Sequence, residues 1–162
     1  MELWRDGLLL FSAAGDKFLC RSDDRIPGRP LRINTLVLAE STLLFCKLAR
    51  EVYSVALPRP RIIQFSIEFR NLTNDALNPT ILPAEVDALP WPDSRIYAAE
   101  YAGERFTLMA DYDEDPAVVA WRLVSEVYLW FGIELAEIPY SIRGENGARM
   151  IDEKKIASLP RR

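Results

Sequence analysis

The sequence predicts an α+β fold, an antiparallel or mixed sheet with two main helices packed on one face as a two-layer sandwich. Three observations predict it. Residues 61–70 alternate, with Ile63, Phe65, Ile67 and Phe69 against Gln64, Ser66, Glu68 and Arg70, the pattern of a strand with one buried and one wetted face. Residues 34–57 and 116–131 carry apolar side chains at helical spacing. Turn signals between neighbouring apolar runs favour hairpins over the obligatory crossovers of a parallel sheet.

The elements follow in order. Residues 3–11 pivot on Arg5-Asp6-Gly7 and predict a hairpin whose second strand is 8–11. From 15 to 32 the chain turns to Asp, Arg, Gly and Pro, and Pro27-Gly28 and Pro30 make it a loop. The strongest helix signal follows over 34–57. Asn34 or Thr35 caps it, and Leu36, Ala39, Leu43, Cys46, Val52 and Tyr53 lie near one stripe. Leu44, Phe45, Leu48 and Val55 widen that arc, which places this helix at the centre of the core or at a subunit interface. Pro58 and Pro60 end it before the strand at 61–70.

Residues 71–94 are rich in Asn, Asp and Pro and read as an extended connection anchored by Trp91. Residues 96–101 and 105–110 flank Ala102-Gly103-Glu104 as a second hairpin. The second helix has Asp115 at its N-cap, Pro116 at its first position and Gly132 as terminator, with an apolar stripe of Val118, Trp121, Val124, Tyr128 and Phe131. After Pro139 the chain becomes polar. Residues 1–140 therefore read as one α+β domain, and 141–162 as a loosely held tail.

Composition narrows the chemistry. The 162 residues include no histidine, the side chain that dominates acid/base catalysis, nucleophile activation and zinc ligation. With 49% apolar residues the chain can bury about 70% of its unfolded surface around one core. The net charge of −4 opposes diffuse attraction to nucleic acid or anionic lipid, so nucleic acid is a partner only through a local basic patch. Cys20 and Cys46 lack CxxC spacing and read as reduced, buried residues of a cytoplasmic protein, with a bridge between them as the alternative. No apolar run approaches the roughly 18 residues of a membrane span, and residues 1–14 lack the basic leader of a signal peptide. No motif asks for a metal or cofactor. Asn71-Leu72-Thr73 fits a glycosylation acceptor, which matters only in a secreted chain.

The charged motifs have structural readings. Asp111, Asp113 and Asp115 open like a calcium loop, but Pro116 stands where a glycine turn is needed and Arg122 where the bidentate glutamate belongs. They suit a helix N-terminus instead. Asp152-Glu153-Lys154-Lys155 contains half of a metal-nuclease pattern, set in a solvated charge run. Glu68 and Glu100 could face one another as an acid/base pair only if Glu68 left the wet face.

Two candidate sites remain. Arg21, Arg25, Arg29 and Arg32 share one loop, and Arg59 and Arg61 follow at the proline break; if the loops adjoin, their guanidinium forks suit a phosphate or carboxylate. Trp130, Phe131, Ile133 and Leu135, at the end of the second helix, are the candidate interface. Trp4, Trp91, Trp121 and Trp130, with Tyr97, Tyr101 and Tyr128, read mainly as core, and Trp130 counts toward the interface only if it is exposed.

Leu3-Trp4-Arg5-Asp6-Gly7, the helix from Asn34-Thr35-Leu36 to Val52-Tyr53, the Pro58-Arg59-Pro60 break and the Asp115-Pro116 helix with Trp121 and Trp130-Phe131 together resemble the C-terminal accessory domain of bacterial Schlafen-type AlbA-like proteins, over roughly residues 2–140. The resemblance is one of pattern and brings no catalytic residues. It implies an accessory or sensing module of a larger bacterial protein. The function these features point to is a non-catalytic interaction or sensing module that associates with itself or a protein partner through apolar helix faces. The rival is a ligand, phosphate or nucleic-acid binder using Arg21, Arg25, Arg29, Arg32, Arg59 and Arg61.

Overall fold

The computed structural model describes residues 1–4, 7–13, 32–70, 80–81, 97–98, 105–135, 138–145 and 147–159. They form an α+β fold with two main helices and small open sheets. The expected N-terminal hairpin is present: β1 (Glu2–Leu3) pairs antiparallel with β2 (Leu9–Leu10). Gly7 at φ +85 donates its N–H to the Trp4 carbonyl, a left-handed conformation that glycine adopts without strain. The expected Arg-rich loop lies almost wholly outside the described residues. At its end β3 (Arg32–Ile33) runs parallel to β5 (Thr80–Ile81), which pairs antiparallel with β6 (Tyr97–Ala98).

The first main helix, α1 (Thr35–Ser54), starts where the Asn34 side chain accepts from the N–H groups of Leu36 and Val37. The alternating segment is β4 (Ile62–Glu68), with Ile63 and Phe65 buried and Gln64, Ser66 and Glu68 exposed. Its partner corrects the second expected hairpin. β7 (Arg105–Asp111) pairs antiparallel with β4 along seven residues, from Ile62 opposite Asp111 to Glu68 opposite Arg105, whereas Tyr97 and Ala98 pair with β5. Buried Leu108 and Ala110 of β7 complete the apolar face begun by Ile63 and Phe65. That complementarity of burial across a long separation outweighed the local turn signal.

The second main helix, α2 (Pro116–Trp130), is capped by the Asp115 carboxylate on the Ala117 N–H and has Pro116 at its start. It is the more enclosed of the two: nine of its 15 residues are buried, against seven of 20 in α1. α2, and not α1, is therefore the central helix, packed against α1, β7 and the C-terminal segment. That segment corrects the expectation of a loose tail. β8 (Ser141–Arg143) and β9 (Arg149–Ile151) form a hairpin closed by backbone bonds between Gly144, Gly147 and Ala148, and a short helix α3 (Glu153–Ser158) follows under an Asp152 cap. Ile151 is 1% exposed and belongs to the core. β9 of this hairpin packs against α2.

No helix among the described residues is long and apolar enough to cross a membrane. The sheet is also less continuous than expected: the described strands fall into four small sheets, because most are only two or three residues long.

Candidate functional site

The end of α2 is core. Trp130, Phe131 and Ile133 are 6%, 1% and 1% exposed, and only Leu135, at 39%, stays at the surface. The expected interface is thus corrected for three of its four residues. Local chemistry explains it. Gly132, at φ +70, donates to the Leu129 carbonyl, and Ile133 donates to the Tyr128 carbonyl. This paired closure of a helix C-terminus turns the chain back over its last turn and carries Ile133 inward. Trp130 meets Phe69 edge to face at 5.7 Å between ring centroids.

Apolar exposure gathers instead on the N-terminal hairpin. Leu3, Trp4, Leu8, Leu10 and Phe11 are 61, 54, 50, 40 and 43% exposed, while Leu9 between them is buried in the core. The alternation of β2 sends Leu9 inward and leaves Leu8 and Leu10 outward. The hairpin is held to α1 by the Tyr53 hydroxyl, which donates to the Gly7 carbonyl. The result is an apolar surface fixed on a packed base.

A polar cluster forms where α1, the segment after it and the β7–α2 junction meet. Tyr112 is its hub: its N–H donates to the Arg61 carbonyl at 2.8 Å, and its hydroxyl makes a long bond of 3.4 Å to the Arg50 carbonyl. The guanidinium carbons of Arg59 and Arg50 lie 5.3 and 6.0 Å from the Tyr112 ring centroid, within cation–π range. Arg59 also donates to the Ser54 carbonyl at the end of α1. Glu114 is held by Arg122, whose Nη1 lies 3.1 and 3.2 Å from the two carboxylate oxygens. Beneath them is a narrow cleft lined by Cys46, Arg50, Phe65, Asp111, Tyr112 and Glu114, among others, with a volume of about 10 Å³. That is room for one water. Burial pushes the Cys46 thiol up to about 12, which makes it a poor source of thiolate.

Of the arginines expected to bind an anion, Arg59 reaches this cluster with its guanidinium, whereas Arg61 touches it only through its backbone carbonyl and has an exposed side chain. Arg21, Arg25 and Arg29 lie outside the described residues, and Arg32 is described by its backbone alone. Arg50 and Tyr112 were missed by sequence reasoning. Arg50 reads as an ordinary polar-face residue of its helix, and Tyr112 sits inside an acidic run, so no local signal joins them. Glu68 stays on the wet face, where a hydrogen bond from Arg70 pulls its carboxyl below the usual range; Glu100 lies outside the described residues. Asp115, Asp152 and Glu153 have structural uses, the first two as helix caps and the third in an ion pair with Lys47. Among the described residues no three Cys, Asp or Glu side chains converge as metal ligands.

No protein-family model matches this chain, and neither a curated protein nor a solved structure matches it.

Proposed function

We propose that the chain is a non-catalytic interaction module that docks a protein surface, in the first instance a second copy of itself, through the outer side of the β1–β2 hairpin. One observation carries this reading: Leu3, Trp4, Leu8, Leu10 and Phe11 are all exposed on or beside a hairpin that the core holds in place through Leu9, with Leu8 and Leu10 on the face opposite Leu9. Burying a leucine or phenylalanine fully is worth about 1.5–3 kcal/mol, so an exposed group of this kind favours association. The end of α2 is a poorer candidate, since Trp130, Phe131 and Ile133 are already used in the core. The accessory-module reading of the sequence fits such a surface.

Sedimentation velocity over a concentration series tests the proposal. Reversible association that Leu10→Ser with Phe11→Ser weakens by about tenfold or more, at unchanged thermal unfolding, is the expected result. A strict monomer at hundreds of micromolar contradicts it.

A further inference from the structure

We propose that Arg50 and Arg59, gathered about Tyr112, form a binding site for a phosphate group. The ion pairs among the described residues are Lys47 with Glu153, Arg70 with Glu68, and Arg122 with Glu114. Among the described residues, neither Arg50 nor Arg59 forms an ion pair with a carboxylate. Arg50 is half-buried nonetheless, its charge resting on the aromatic face. A guanidinium placed this way keeps most of its hydrogen-bond donors unspent.

Two features prepare the group for an anion. Arg59 lies between Pro58 and Pro60; each proline fixes its own φ, and Pro60 also restricts the Arg59 backbone. The Tyr112 ring holds Arg50 and Arg59 from a second direction, and its own N–H fixes the Arg61 backbone. Less side-chain freedom is then lost on binding. A tetrahedral phosphate dianion brings a second negative charge and more acceptor oxygens to two guanidiniums than a carboxylate does. A phosphate is therefore the ligand class. The cleft below has room only for a water, so the phosphate sits at its mouth and whatever carries it remains in solvent. Asp111 lines the same cleft and opposes the charge of the arginines, which sets the affinity low and makes its removal informative.

The experiment is a titration of the full chain with inorganic phosphate and, separately, phenyl phosphate, followed by the arginine Nε–H and backbone amide resonances. Saturable shifts at Arg50, Arg59 and Tyr112 are expected with both probes. Arg50→Gln with Arg59→Gln should weaken binding by about tenfold or more, and Asp111→Asn should tighten it. Near-ultraviolet dichroism of the variants establishes that they are folded, and Lys154→Gln serves as a charge control that leaves binding unchanged. Linear, non-saturating shifts, or equal loss in the Lys154 control, mean an adventitious ion only and overturn the site. Unaltered binding in the double arginine variant also overturns it. Because the hairpin residues are untouched, failure here leaves the self-association measurement unaffected, and the reverse holds.

Discussion

Single residues carry conformational and protonation constraints that can be measured one at a time. Gly132 terminates α2 at φ +70, so Gly132→Ala forces a side chain into the left-handed region. The expected cost is roughly 1–2 kcal/mol in urea unfolding. An unchanged midpoint would show that the turn does not set the path of Ile133. Cys46 has a pH signature. Its thiol, ordinarily near 9.0, is held up to about 12 by burial. Above the ordinary value the unfolded chain releases this proton while the folded chain keeps it. The stabilisation is therefore complete below the ordinary pKa and falls by about 1.4 kcal/mol per pH unit as pH rises toward the folded value. Tyr128 acts in the same direction, because burial and the neighbouring Tyr140 push its phenol up. In a Cys20→Ser background, the native thiol should resist a disulfide reagent at about pH 8 and react on unfolding. Rapid reaction in the native state would contradict the burial.

At the scale of elements, the helices and the β4 strand were legible because their signals are local. The caps at Asn34 and Asp115, the proline at the start of α2 and the two-residue alternation of 62–68 need no partner to be read. Pairing was not legible in the same way. β7 chooses β4 over the nearer segment because Leu108 and Ala110 must share a face with Ile63 and Phe65. The C-terminal segment was misread for a related reason: its charges hide an inner face that only α2 makes meaningful. Ile151→Ala is expected to cost about 2–5 kcal/mol, and deleting residues 141–162 to abolish cooperative unfolding, since the deletion uncovers α2. A truncated chain that unfolds at the full-length midpoint would restore the loose tail.

In the whole molecule, apolar residues do two jobs that the sequence cannot separate. Trp130, Phe131 and Ile133 look like surplus beside Leu3, Trp4, Leu10 and Phe11, yet the first group is enclosed by Phe69 and the turned-back end of α2 while the second stays in solvent. Which group is enclosed depends on long-range packing. The candidate anion cluster has the same origin: Arg50 and Tyr112 are 62 residues apart and meet only through the fold. Only its Arg59 member was visible in advance, through the proline break. The proposed function requires the hairpin to be a contact surface. Hydrogen exchange of the backbone amides of residues 2–10, followed in dilute and concentrated protein, addresses that directly. Slower exchange in the hairpin as concentration rises, with α2 unaffected, is the expected result. Exchange in the hairpin that is independent of concentration, up to hundreds of micromolar, would contradict it.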